Sequence, residues 1–222
     1  MRALWLAVLL LAGCSSEGGG TFERIGTLAA DRLFGEDAPV PPEVTRAQLD
    51  QIPFATIAVS FQAESGRAFV VPLADNDGYL TYQDQNRRGL VLLGGAVAGT
   101  DGLSQDLLGV RHASGDPIAY PTRLADWPGQ IDREYQYKIR DLQRFSITVT
   151  CVYARDVREE IEIVERRYQV VRMLETCTSP RRQFTNLYWV EPDSGFVWRS
   201  RQWLGPQLNP ALIEIIRPYD PA

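Results

Sequence analysis

The sequence predicts a mainly β protein, an antiparallel sandwich or curved half-barrel with one or two short helices near its N-terminus. Three observations carry that expectation. Apolar and polar residues alternate from Ala55 onward, as in Ile57, Val59 and Phe61 or in Phe145, Ile147, Val149 and Cys151, which is the period of strands with one buried face. Turn signals recur between the runs, among them Ser65-Gly66-Arg67, Asn76-Asp77-Gly78 and Pro192-Asp193-Ser194-Gly195, close enough to join antiparallel neighbours. Amphipathic helical spacing of apolar residues falls in the stretch before Pro53.

The first segment decides where the chain lives. Arg2 and an apolar run from Ala3 to Ala12 have the form of a secretory signal, and the run is shorter than the roughly 20 residues a spanning helix needs. Leu11-Ala12-Gly13-Cys14 resembles the lipobox of bacterial lipoproteins. That resemblance implies cleavage of the signal, residues 1–13, and acylation of both the Cys14 thiol and the new amino terminus. Several acyl chains anchor stably where one does not, so the protein is expected to sit on a membrane without crossing it. Ser15 after the cysteine, in place of an aspartate, points to the outer membrane, with the body facing the periplasm. Residues 14–21 are a lipidated, glycine-rich tether with a mean reach of about 15 Å. Residues 22–222 are expected to form a single β-rich domain.

Within that domain, Phe22, Ile25, Leu28, Ala29 and Leu33 are spaced as a short amphipathic helix ending near Gly35. Pro39, Pro41 and Pro42 make an extended connector. Thr45-Arg46-Ala47-Gln48 matches a capping box that starts one or two helical turns. Strands are expected over residues 55–62, 68–73, 79–82 and 90–93. Residues 94–102, rich in glycine, are assigned to turns and bulges, and residues 103–108 to one helical turn. Residues 109–131 carry Pro117, Pro121 and Pro128 and read as a long loop, of the kind that is functional or covers something.

The second half is almost continuous strand, over residues 135–140, 145–153 and 161–173. In the last of these the apolar parity slips between Ile163 and Tyr168, so a bulge or bend is expected around residues 165–167. Residues 187–191 and 196–203 flank Pro192-Asp193-Ser194-Gly195, and a four-residue loop there sets Trp189 opposite Trp198. Residues 212–216 form a closing strand. The strand order does not follow from these patterns.

Composition excludes several classes of function. The 222 residues carry a formal net charge of −5, and the mature chain, without Arg2, is one unit more negative. No basic block is present, which argues against nucleic acid. With Cys14 taken by lipid, Cys151 and Cys177 remain, and in an oxidising periplasm they are expected to form a disulfide. A straight run between them would span roughly 85 Å, whereas bridged Cα atoms lie roughly 4.4–6.8 Å apart, so the chain must turn back on itself. Two cysteines and a single histidine, His112, do not supply a tetrahedral metal site. No metal or cofactor is expected.

Catalytic patterns are weak. His112 lies in a turn-like stretch and reads as a surface histidine, and no serine sits in a G-x-S-x-G setting. Glu159, Glu160, Glu162 and Glu165 are interspersed with arginines, as on a solvated strand face and unlike the paired acids of sugar cleavage. Gly94 and Gly99-Thr100 lack the lysine of a phosphate loop. No catalytic residue is assigned. The most suggestive surface is Trp198, Arg199, Arg201 and Trp203, a glycan or partner surface, because rings stack on sugars and guanidinium forks pair with the carboxylates of an acidic polysaccharide. Simple alternation puts Trp198 on the opposite face from Arg199, Arg201 and Trp203. The competing reading makes Trp189 and Trp198 core and lets the arginines bridge acidic strand faces.

Several runs together resemble a known family. They are the lipobox; Pro53-Phe54-Ala55-Thr56-Ile57; Gly99-Thr100-Asp101-Gly102-Leu103 with Asp106-Leu107; Glu165-Arg166 with Tyr168; Asn186-Leu187-Tyr188-Trp189-Val190; and Gly195 through Trp203. In order and spacing the chain resembles the YjbF or GfcB lipoproteins, found with exopolysaccharide and group 4 capsule export genes. The resemblance implies a largely β fold, no assigned enzymatic activity, and help for polysaccharide secretion at the outer membrane. It also implies a β-barrel outer-membrane protein and a soluble periplasmic protein as partners. The Cys151–Cys177 bridge rests on compartment and is no part of the resemblance. Two other functions stay open from the residues: a periplasmic lipid- or glycan-binding carrier with a β half-barrel pocket, and a carboxylate-dependent glycan hydrolase or lyase.

Overall fold

A computed structural model describes residues 44–61, 66–139 and 143–220. Cys14, the tether and the helix expected over residues 22–34 lie outside the described residues. Thr45 caps α1 (Arg46–Asp50) through the expected box, its side chain and backbone exchanging hydrogen bonds with Gln48. Thirteen strands follow among the described residues: β1 (Thr56–Phe61), β2 (Ala68–Val70), β3 (Pro72–Asn76), β4 (Tyr79–Gln83), β5 (Gly89–Leu93), β6 (Ala96–Asp101), β7 (Leu107–His112), β8 (Gln130–Ile139), β9 (Gln143–Ile163), β10 (Arg166–Ser179), β11 (Arg182–Val190), β12 (Val197–Gln202) and β13 (Ala211–Arg217).

They form two antiparallel sheets, a nine-stranded one in the order β2-β1-β13-β12-β11-β10-β9-β8-β7 and a four-stranded one in the order β3-β4-β5-β6. The fold is mainly β, as its alternation predicts. The strand expected over residues 68–73 is two strands, because the chain crosses at Val71 from the edge of one sheet to the edge of the other. Asp77 and Gly78, both at positive φ, make the hairpin turn between β3 and β4.

Two local expectations fail. Leu107 and Leu108 open strand β7, so residues 103–108 are no helical turn and the loop begins only after His112. Residues 96–101 of the glycine-rich segment are strand β6, with the expected turn confined to Gly94-Gly95. Small residues hid it: Ala96, Val97, Ala98, Gly99 and Thr100 are buried on both faces, so no apolar–polar alternation remains to be read. Gly94 lies at φ +56, and a Cβ there would fall 2.5 Å from the Ala119 carbonyl oxygen. The loop after β7 lies down on this turn, and the Gly95 N–H donates to the Ile118 carbonyl. That long loop covers core, since Ile118, Ala119 and Leu124 are buried with Ala96, Ala98, Val171, Tyr188 and Val197. On the other side of β6, Val97 joins Ile57, Leu92, Tyr137, Val149 and Ile213.

The parity slip after Ile163 is a full hairpin turn between β9 and β10, with Ile163 opposite Arg166 and Ile161 opposite Tyr168. This reversal places Cys151 directly opposite Cys177, and a disulfide joins them. The turn is made by Val164 and Glu165 at φ 42° and 62°, a conformation that asparagine and glycine adopt far more cheaply than a β-branched residue. Replacing Val164-Glu165 with Asn-Gly is therefore expected to stabilise the domain by roughly 1–2 kcal/mol, read as a higher urea midpoint with an unchanged slope.

The last hairpin keeps its four-residue loop, with the Glu191 N–H donating to the Phe196 carbonyl. A bulge after Val197 then shifts the register, so Trp189 faces Arg199, not Trp198. One extra residue moves every later side chain by one position.

Candidate functional site

The outer face of the larger sheet is organised in register rows. One row runs Arg172, Trp189, Arg199, Glu214 across β10 to β13. Arg172 reaches Asp156 at 2.7 Å and Glu159 at 3.6 Å, and the Trp189 indole N–H donates to Glu159. Arg199 lies over the Trp189 ring, 5.7 Å from its centroid. It pairs with Glu214 at 2.7 Å and donates to the Glu162 carbonyl. The adjoining row is Leu174, Leu187, Arg201, Leu212, whose leucines are all half-buried. These three leucines stand on the face turned away from the core, partly covered by their neighbours.

Of the four residues predicted to form a glycan or partner surface, the structure groups only Arg199 and Arg201, in adjacent rows of this face. Trp198, at the bulge, stacks on Tyr168 with centroids 3.9 Å apart and meets Phe196 edge-on. Trp203 packs inward, stacked on Phe184 at 3.9 Å and edge-on to Tyr135 and Tyr137. Simple alternation misplaced it because β12 ends at Gln202, after which the Trp203 N–H donates to the Asn186 side chain. Arg199 does bridge an acidic neighbour, Glu214.

A second constellation escaped the sequence reading altogether. Arg133 and Glu175 are 2 % and 0 % exposed, inside the core beside the disulfide. Arg133 forks onto Asp116, with Nη2 2.8 Å from Oδ1 and Nε donating to Oδ2. Its Nη1 donates to Glu175 at 2.6 Å, and Nη2 also donates to the Tyr153 hydroxyl. Asn186 and the Tyr188 hydroxyl donate to the other Glu175 oxygen, while the Ile118 N–H donates to Asp116. His112 is not a surface residue: its side chain is 2 % exposed and its Nδ1 lies 2.7 Å from Asp116. Burial pushes the Tyr153 and Tyr188 hydroxyls far up in pKa, so they stay protonated. Burial alone would raise the Asp116 carboxyl, but hydrogen bonds from Arg133 and His112 outweigh it and hold the group well below the usual carboxylate range.

This cluster is sealed, so its role is to join loop, β8, β10 and β11. It also sets an acid limit. A carboxylate whose pKa is depressed by folding stabilises the fold at pH values above its unfolded pKa, near 3.9, and that contribution fades as pH falls below it. Urea midpoints should therefore begin to drop below about pH 5 and keep falling past about pH 3, and Asp116→Asn should flatten that slope; an equally steep slope in the variant would sink the assignment.

The sulfurs of Cys151 and Cys177 and a Glu175 oxygen lie within 4.8 Å of one another, but the disulfide leaves neither sulfur free to hold a metal. A cleft of about 190 Å³ opens between the sheets, lined by Ile57, Leu80, Tyr82, Leu92, Phe196 and Ile215. It is smaller than the roughly 300–1,000 Å³ of ordinary ligand pockets.

Comparison with known proteins agrees with this architecture. A family model for the group 4 capsule polysaccharide lipoprotein GfcB, YjbF, matches residues 27–216. The chain is 26 % identical over 225 residues to the uncharacterized lipoprotein GfcB of Escherichia coli (strain K12), covering 98 % of this chain and 99 % of that one. The crystal structure of the hypothetical lipoprotein YmcC from Escherichia coli (K12) superimposes with a TM-score of 0.70 at 22 % identity, covering 90 % of this chain and 97 % of that one. The chain belongs to the YjbF family of group 4 capsule polysaccharide lipoproteins.

Proposed function

We propose that this lipoprotein is a non-enzymatic outer-membrane component that assists the secretion of exopolysaccharide or capsule, anchored through Cys14 and facing the periplasm. The observation that carries the reading is the family match over residues 27–216. Two structural features support it. The Asp116–Arg133–Glu175 cluster, where acid–base chemistry would otherwise be sought, is closed to substrate, and Glu160, Glu162 and Glu165 are exposed along the β9–β10 hairpin. The outer face, with Trp189, Arg199 and Arg201 beside the leucine row, suits a protein partner or an acidic polysaccharide, since guanidinium forks pair with carboxylates. A β-barrel outer-membrane protein and a soluble periplasmic protein of the same export system are the partners we expect.

Deleting the gene and measuring secreted and surface polysaccharide tests the role. Loss of polymer outside the cell, restored by the wild-type gene and not by Cys14→Ser, is the expected result. Unchanged secretion and surface polymer in the deletion strain would overturn it. Photo-cross-linking from positions 187 and 201 in intact cells then identifies what the outer face touches.

A further inference from the structure

Seven large apolar side chains are exposed among the described residues; one of them, Tyr219, lines the cleft between the sheets, and Phe54, Leu73 and Tyr120 are placed beside residues of that cleft by chain neighbourhood and strand pairing. Their grouping follows from the pairing. Thr56 faces Arg217, so Phe54 lies two residues before that pair and Tyr219 two residues after it. The Tyr219 hydroxyl donates to Asp75, which brings the ring to β3, where Leu73 is the extra residue of a bulge between Pro72 and Ala74. Tyr120 adjoins Pro121, which lines the cleft with Tyr219 and Phe196. Phe54 is 58 % and Leu73 64 % exposed.

The same end receives the chain that leads from the anchor. Val44 and α1 immediately precede Phe54, and Arg217 donates to the Asp50 carbonyl at the end of α1. A chain anchored through its N-terminal segment can turn this end toward the lipid. Its chemistry suits that position: two tyrosines with an apolar ring and a polar tip, a phenylalanine, a leucine, and the guanidinium of Arg217 beside the rim. Amphipathic rings and arginines with apolar stems settle at the boundary between headgroups and acyl chains.

We propose that this end of the domain is a lipid-facing surface, with Phe54, Leu73, Tyr120 and Tyr219 set into the membrane interface around a cleft that opens toward the acyl chains. The proposal rests on the acyl anchor of the functional reading and goes beyond it, because an anchor on a flexible tether does not by itself orient the body. Lipid contact through this end would hold the outer face of β10 to β13 in one orientation for partners.

The test uses the full acylated protein in vesicles of phosphatidylethanolamine and phosphatidylglycerol that carry brominated acyl chains. Phe54→Trp and Leu73→Trp each add an indole at the rim, while Val152→Trp adds one on β9, away from it. The rim indoles should be quenched about twofold more strongly than the β9 indole, as for side chains set about 5–10 Å into the interface. Equal quenching at all three positions, with the protein vesicle-bound, overturns the lipid-facing surface alone. A photo-cross-linker at position 54 that captures a protein chain in cells, without rim quenching, assigns the patch to a partner or a second copy and also overturns it. Protein that does not float with vesicles and takes up no palmitate overturns the anchor as well.

Discussion

Arg133→Leu is expected to destabilise the domain by about 3–5 kcal/mol, because it strips the one cation from two buried carboxylates. Arg133 spends all its donor groups inside the core: Nε and Nη2 on Asp116, Nη1 on Glu175, and Nη2 again on Tyr153. Its own pKa reflects the contest. Burial lowers it, but the charge of Glu175 and the bond to Asp116 more than compensate and raise it well above the usual arginine value. Leucine restores none of the donors and leaves Asp116 and Glu175, both 0 % exposed, without a counter-charge. Removing all three charges together, as Arg133→Leu with Asp116→Asn and Glu175→Gln, should cost less than Arg133→Leu alone, since no uncompensated charge is left behind. Urea unfolding at neutral pH gives both values. A loss under about 1 kcal/mol for Arg133→Leu would falsify the description of this cluster as a buried ion network.

The two ends of that network were present in the sequence, in a form that alternation alone passes over. Ile131, Arg133, Tyr135 and Tyr137 stand at every second position of β8, and Val171, Met173, Glu175 and Cys177 do so in β10. A charged residue in the middle of an apolar face is a buried charge, and buried charges come with partners. The third member was out of reach, because Asp116 lies in the loop after β7 and nothing in its spacing ties it to Arg133. The strands themselves were legible where one face met water, as in β8 and β9. They were illegible where both faces are covered, as in β6, and where a bulge broke parity, as at Trp198. The outer face shows the same limit. Arg199 and Arg201 were found from their alternation, but the leucine row beside them appears only once β10, β11, β12 and β13 are placed in order, which pairing distances in sequence do not specify. The Cys151–Cys177 bridge followed from compartment, and the reversal it demanded is the β9–β10 hairpin.

The bridge should matter almost as much as the network beside it. Its cysteines are 26 residues apart, and closing a loop of that size in the unfolded chain is worth about 3–4 kcal/mol on the chain-entropy account. Cys151→Ala with Cys177→Ala should lose that amount, plus a small packing loss, since both cysteines are fully buried among Val149, Phe184 and Tyr137. The two losses should not simply add. Arg133 Nη1 lies 3.9 Å from the Cys151 sulfur, and residues sharing such a contact couple when both are changed. Burial also separates strength from susceptibility. With both sulfurs out of solvent's reach, a thiol reductant must wait for the sheet to open, so native protein should be reduced slowly and the rate should climb steeply with urea. Reduction as fast in water as in urea would mean that the β9–β10 pair opens freely around the bridge, and the stabilisation assigned to it would then be lost from the native state rather than gained over the unfolded one.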